Sequence, residues 1–273
     1  MAVVGHVEWI EFARVERVPA PGQIVHVLAD WEEPGGGGAV AAVQLAKLAG
    51  DATFYTALGD DELGHRAQRE LEALGVRVEA VFRAEPQRRA FVYLDDAGER
   101  TITVIGDRLG PRGDDPLAWE ELARVDGVYL TSGDAEAVRA ARRARTLVST
   151  ARGVEVLAES GVTLDALVSS ARDEGERYRP GQLEPTPRVV VRTAGATGGS
   201  WEHPDGEHGE YVASRLPGEV KDSYGCGDSF AAGLTFGLAE GRDLSAALEL
   251  GAECGAACLT GSGPYEGQLR GAR

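Results

Sequence analysis

Two hydrophobic periods alternate along this chain of 273 residues. Val3 to Phe12 is largely apolar and predicts a first strand. Short β-branched runs recur at 52–57, 76–82, 126–131, 146–149, 165–168 and 188–193. Between them a helical period marks 39–48, 61–74, 116–123, 134–145, 152–159 and 170–177, with 228–240 and 243–260 closing the chain. Strand–helix alternation with short connections predicts an α/β sandwich: a mostly parallel sheet covered on both faces. Two segments break the rhythm. Residues 14–33 are extended and punctuated by Pro and Gly. Residues 90–105 form two apolar arms around Asp95-Asp96-Ala97-Gly98, a hairpin turn. Together they predict a small β lid, about 14–33 and 89–106, on a single domain spanning 1–273.

Composition narrows the partners. A formal net charge of −16 argues against nucleic acid, which requires a basic footprint. No apolar run reaches the roughly 20 residues of a membrane span, and Met1–Gly5 enters a strand with no basic leader. Three cysteines in a long chain fit a reducing, cytoplasmic setting.

The densest chemistry lies in Lys221-Asp222-Ser223-Tyr224-Gly225-Cys226-Gly227-Asp228-Ser229. Gly225 and Gly227 permit a turn and close backbone approach. The helix that follows presents unpartnered N–H groups at the positive end of its dipole, a cradle for phosphate. A carboxylate there, Asp228, makes sense as a base for an attacking hydroxyl. Its place at a helix N-terminus should favour the ionised form.

This stretch resembles the second signature of the ribokinase-like, PfkB-type carbohydrate kinases, with Cys226 in place of a small Ala. The resemblance implies a ribokinase-like fold with a β lid, ATP as phosphoryl donor and Mg2+ as its companion. Asp228 would be the base, and Gly225, Cys226 and Gly227 the anion hole. Gly35-Gly36-Gly37-Gly38 and Gly59-Asp60-Asp61-Glu62-Leu63-Gly64 resemble the first signature, which implies sugar contacts from Gly36 and Gly37. Val40 stands where the family commonly has Asn, and Gly37 where ribokinase has Lys. In the first strand Ile10, flanked by Glu8 and Glu11, stands where the family has Asp. Glu8, Glu11 or an Arg of the lid such as Arg89 are the candidates to compensate, and these losses predict a substrate other than ribose.

Thr193-Ala194-Gly195-Ala196-Thr197-Gly198 follows an apolar strand and matches the family's nucleotide turn; Lys221 and Gly261 join it on the nucleotide side. Asp222 matches a position that helps to hold a monovalent cation such as K+. Ser170-Ala171-Arg172-Asp173 is the counterpart of an Asn-x-x-Glu element, which makes Ser170 and Asp173 candidate oxygen ligands for magnesium. The resemblance also implies a small sugar-like substrate, with a nucleoside or a non-catalytic sensor as alternatives, and a homodimer through the lid.

Other classes fit less well. Neither lysine, Lys47 or Lys221, follows a glycine, so there is no P-loop. Gly36 to Ala41 fits a dinucleotide fingerprint, but Glu32-Glu33-Pro34 precedes it where a strand should run. A Ser229 hydrolase lacks a histidine after the serine, because His208 is the last in the chain.

Overall fold

The computed structural model describes residues 1–271. The chain enters the main sheet through β1 (Ala2–Val4), bends at Gly5, and continues as β2 (Glu8–Arg14) in a second sheet. One strand was expected over Val3–Phe12. Gly5 divides it, because its backbone packs directly on Thr131, where a Cβ would clash. Next come β3 (Ala29–Gly35), α1 (Gly37–Ala49), β4 (Ala52–Gly59), α2 (Glu62–Ala73), β5 (Val76–Arg83), β6 (Arg89–Leu94) and β7 (Arg100–Ile105). The rest is β8 (Gly127–Leu130), α3 (Ala135–Ala141), β9 (Thr146–Thr150), α4 (Val154–Ser160), β10 (Ala166–Ser170), β11 (Val190–Thr193), β12 (Gly199–Glu202), β13 (His208–Tyr211), α5 (Cys226–Ala239) and α6 (Leu244–Cys258).

Nine strands form the main sheet in the order β13-β12-β11-β10-β9-β8-β1-β4-β5. All pairs from β11 to β5 are parallel, and β12 and β13 add an antiparallel edge. The strands alternate between two apolar cores. Val3, Phe54 and Tyr129 face α1, α5 and α6; Val4, Tyr55 and Leu130 face α3 and α4. A three-layer sandwich follows from that alternation, as expected.

The second sheet has the order β3-β2-β6-β7. The hairpin expected over 90–105 is present; Asp95 Oδ1 accepts the N–H groups of Ala97 and Glu99 at 2.9 and 3.0 Å, and Gly98 takes φ 75°. The lid differs in its bounds from 14–33 and 89–106. Its strands cover 8–14, 29–35, 89–94 and 100–105, and residues 15–28 form a loop without strands.

Two other expectations are corrected. The helix expected over 116–123 is a 3₁₀ segment, Trp119–Arg124. Residues 170–177 are not a helix but a turn with one 3₁₀ segment, Glu174–Glu176. Ser170 Oγ takes the N–H groups of Arg172 and Asp173, and Asp173 Oδ1 that of Gly175, so side chains replace the helical acceptors. The β12–β13 hairpin gave no signal, since strands of four residues are too short for a period to emerge.

Candidate active site

In a parallel sheet the carboxyl ends of all strands face one edge, and ligands bind in the crevice there. Gly5 and His6 after β1, Thr131 after β8, Ser170 at the end of β10 and Thr193 at the end of β11 share that edge. The lid rises from the same place.

Helix α5 begins in the crevice. Gly225 is its N-cap, with φ 79°, and Ser229 makes the first intrahelical bond, to Gly225 O at 2.9 Å. The N–H groups of Cys226, Gly227 and Asp228 have no acceptor among the described residues. The local sequence dictates this cradle: a glycine supplies the left-handed turn, and an N-terminal helical turn always leaves donors free. Around Gly227 a Cβ would meet nothing within 4 Å, so the cradle is open. Asp222 braces it from behind. Its carboxylate is 1% exposed and accepts the N–H groups of Tyr224 at 2.7 Å and Gly263 at 2.9 Å. Burial raises its pKa. With each oxygen holding a backbone N–H, Asp222 supports the loop behind the cradle.

The glycine loop meets the cradle from the other side. Gly36 takes φ 84°, its N–H donates to Tyr224 Oη at 2.9 Å, and Glu8 lies against it. A Cβ on Gly37 would lie 2.6 Å from Asp228 Oδ1. The sugar-side loop and the expected base are therefore in contact, although 191 positions separate Gly37 from Asp228 in the chain. Val40 does not face this space; it is fully buried beneath Gly225.

Asp228 is partly buried, and its pKa is pushed up to about 7. Loss of hydration is the main cause, and the charge of Glu176 adds to it; Arg100 and Arg152 act in the opposite direction. This corrects the expectation that the helix N-terminus favours the ionised form. Burial outweighs the dipole.

Sequence reasoning missed several residues of the crevice. His6 is 6% exposed; burial, with Arg108, Arg88 and Arg152, lowers its pKa, so the imidazole is neutral and its 3.8 Å approach to Glu8 is not an ion pair. His6 Nδ1 and Thr131 Oγ1 are buried with no hydrogen-bond partner among the described residues. Thr131 borders Gly5 and Gly37, and the His6 ring borders Gly36. Such orphaned polar atoms are costly unless a ligand satisfies them.

Arg88, rather than Arg89, reaches the site. Arg88 Nε donates to Glu8 Oε1 at 2.7 Å, whereas Arg89 lies one pleat on, paired with Glu11 at 3.4 Å. The Gly59–Gly64 motif places this pair. Asp61 caps α2 through Gly64 N and takes Gln87 N at 2.8 Å; the Gln87 side chain bridges Gly59 N and Val7 O. Its role is to anchor the base of the lid.

The magnesium candidates Ser170 and Asp173 share one turn. Ser170 closes its own turn, and Asp173 pairs with Arg152 at 2.5 Å; against the opposing effect of burial, the Gly175 N–H and then Arg152 hold its carboxyl below the usual range. Among the described residues no cluster of three or more His, Cys, Asp or Glu could hold a metal ion. Glu176, also on Arg152 at 3.0 Å, is the carboxylate felt most strongly by Asp228. On the nucleotide side, Thr193 ends β11, Gly195 and Gly198 take φ 66° and 86°, and the Arg172 guanidinium lies over Gly195. Lys221 and Gly261 both bond the end of α6, Lys221 N to Leu259 O and Gly261 N to Cys258 O, and Lys221 Nζ lies 3.5 Å from Glu266. Among the described residues no helix is long and apolar enough to cross a membrane.

Comparisons with known proteins agree with this geometry. The chain is 30% identical over 271 residues to an ATP-dependent ribose-1-phosphate kinase of Halopiger xanaduensis, covering 92% of this chain and 89% of that protein. It is 25% identical over 267 residues to a 5-dehydro-2-deoxygluconokinase of Photobacterium profundum, covering 84% and 80%. Among solved structures, the ribokinase of Arabidopsis thaliana complexed with ribose and ATP superposes with a TM-score of 0.77 at 20% identity, over 98% of this chain and 95% of that one. The adenosine kinase of Sinorhizobium meliloti gives 0.72 at 19% identity, over 94% and 93%. The family described as pfkB family carbohydrate kinase matches residues 1–152 and 164–269. Match and geometry agree from the glycine loop to the α5 cradle, and the chain belongs to the pfkB family of carbohydrate kinases.

Proposed function

We propose that this protein transfers the γ-phosphoryl group of ATP to a hydroxyl of a small sugar-like molecule held between Glu8, His6, Thr131 and the Gly36–Gly37 loop. The observation that carries this reading is the place of Asp228. Its carboxylate touches the glycine loop on one side and belongs to the open first turn of α5 on the other. A hydroxyl over Gly37 and a phosphoryl group on the N–H groups of Cys226 and Gly227 would face each other across that carboxylate.

Little covalent chemistry is required of the protein in such a transfer; alignment and charge stabilisation dominate. Asp228 aligns the hydroxyl and accepts its proton. The free N–H groups stabilise charge on the transferring phosphoryl group. Arg100, which donates to Ser223 O at 2.9 Å, and Arg152 place two cations near Asp228. They oppose the −16 field of the chain where an anionic donor must approach. Magnesium entering with the nucleotide would neutralise phosphate charge, and Asp173 and Glu176, hard oxygen donors gathered on Arg152, are the residues that would hold it alongside the phosphates. His6 Nδ1 and Thr131 Oγ1 offer partners to substrate hydroxyls. The lid covers the crevice and excludes water from the reacting groups.

ADP release across a panel of sugars, sugar acids, sugar phosphates and nucleosides tests the proposal. Turnover with a sugar-like member supports it. Absence of ADP release across the panel, in a folded protein that binds ATP, refutes it.

A further inference from the structure

The segment after α6 ties together elements that carry the two sides of the crevice. The chain first turns back on itself where Gly261 and Gly267 touch; a Cβ on Gly261 would lie 2.2 Å from Gly267 N. Residues 265–271 then run along α1 as a strap. Lys47 Nζ donates to Tyr265 O, Gln44 Nε2 donates to Leu269 O at 2.8 Å, and Gly271 N donates to Lys47 O at 3.0 Å. Tyr265 Oη donates to Pro34 O at 2.6 Å, at the end of β3 in the lid. With Val40, the α1 partners of the strap are residues 40, 44 and 47, which share one face of the helix.

Gln268 stands apart in this strap because it reaches two helices at once. Its side chain is buried, and Nε2 donates to Val40 O at 2.9 Å and to Ser229 Oγ at 3.3 Å. A carbonyl can only accept, so Val40 O fixes which amide atom faces it. Val40 lies three residues after Gly37, in the first turn of α1, and Ser229 follows Asp228 in the first turn of α5. These two turns meet where a Cβ on Gly37 would lie 2.6 Å from Asp228 Oδ1. Among the described residues no hydrogen bond joins α1 to α5 directly, so Gln268 is the polar link between them. Stability alone does not account for an amide here. Gln268 Oε1 is buried with no hydrogen-bond partner among the described residues, which is destabilising. Methionine has about the same length and carries no such atom. What the amide adds is direction: apolar packing is non-directional, whereas two hydrogen bonds from one nitrogen fix a distance and an angle.

Resting on the kinase reading above, we infer that Gln268 is a positioning residue for phosphoryl transfer: by tying Val40 to Ser229 it sets the spacing between an acceptor hydroxyl over Gly37 and the carboxylate of Asp228. Gln268 acts through the two helices and touches neither reacting group. Transfer depends on alignment, and a displacement of about 1 Å from a change outside the chemistry costs about 100-fold in rate.

The test is Gln268→Met, which keeps the length and removes both hydrogen bonds. Ser229→Ala, which removes one arm and leaves the strap intact, carries the same comparison where Gln268→Met does not fold. With the acceptor that wild type turns over best, Gln268→Met should lower kcat at least tenfold and Ser229→Ala less in the same direction, while KM for ATP stays within threefold and Tm does not fall. A structural role alone predicts the reverse, a lower Tm with normal kcat, and that result overturns the inference while leaving the kinase intact. In Asp228→Asn, whose residual turnover no longer uses the carboxylate, adding Gln268→Met should change kcat less than threefold; an equal loss in both backgrounds means that Gln268 does not act through Asp228. The spacing is also read without turnover. In glycine-labelled protein the Gly37 amide resonance, identified by its loss in Gly37→Ala, should move between pH 5.5 and 8.5 as Asp228 titrates beside it. That movement should at least halve in Gln268→Met. An unchanged movement refutes the positioning role even where no acceptor is turned over.

Discussion

Replacing Asp228 by Asn should weaken catalysis and strengthen the fold, by amounts that follow from one environment. Burial and Glu176 move the carboxyl from 3.8 to about 7. A shift of about 3 units corresponds to about 4 kcal/mol at most. Asp228 is partly exposed, and solvent screening leaves about 1–2 kcal/mol. The sign is that of a raised folded-state pKa. The native protein binds the proton more tightly than the unfolded chain, so the cost is absent below pH 3.8, grows as pH rises, and is complete above about 7. Asn has no proton to lose and avoids that cost. At about 2.1 cal/mol/K per residue the unfolding entropy is about 0.6 kcal/mol/K, so Asp228→Asn should raise Tm by about 2–4 °C at pH 8, with the gain shrinking by more than half at pH 5. In the same variant kcat should fall roughly 10²–10⁴-fold, the range for a positioned base, with ATP affinity little changed. Asn caps a helix about as well as Asp, so a capping role predicts near-normal turnover and no pH-dependent gain. Calorimetric melting at pH 5 and 8, alongside ADP release, reads both arms. An enzyme within threefold of wild type, or one destabilised at pH 8, would refute the reasoning.

Four further outcomes are expected. The kcat/KM profile should rise with pH through an apparent pKa near 7 and flatten above it, since Asp228 must be ionised to accept a proton; a flat profile from pH 5.5 to 8.5 contradicts this. Gly37→Ala would bring a methyl within 2.6 Å of Asp228 Oδ1 and should lower kcat at least tenfold with a normal Tm, as measured by steady-state kinetics and melting. At Gly227 a Cβ meets nothing within 4 Å, so Gly227→Ala should keep or raise Tm, a helix preferring Ala by about 0.5–1 kcal/mol, while weakening ATP binding by calorimetry because the methyl enters the phosphate space. A homodimer through the lid would cover Ile24, Val27 and Leu28, which are 92%, 46% and 55% exposed; light scattering at micromolar concentration should give twice 28.8 kDa, and a monomeric mass would remove the dimer but not the lid.

The α5 cradle was legible in the sequence because its physics is local. A left-handed glycine at 225 and the free donors of a first helical turn depend on a few neighbouring residues. Strand–helix alternation likewise set the layers, since period and burial are two aspects of one pattern. What the tertiary structure decided depended on distance and parity. Arg88 rather than Arg89 enters the site because pleat phase is set only when β6 pairs with β2. Asp173 pairs with Arg152 on another connection, and a sequence does not announce ion pairs across 21 positions. The orphaned His6 and Thr131 atoms and the raised pKa of Asp228 both come from packing remote segments into one crevice. Dehydration and nearby charge act through space, and neither is written in the order of the residues.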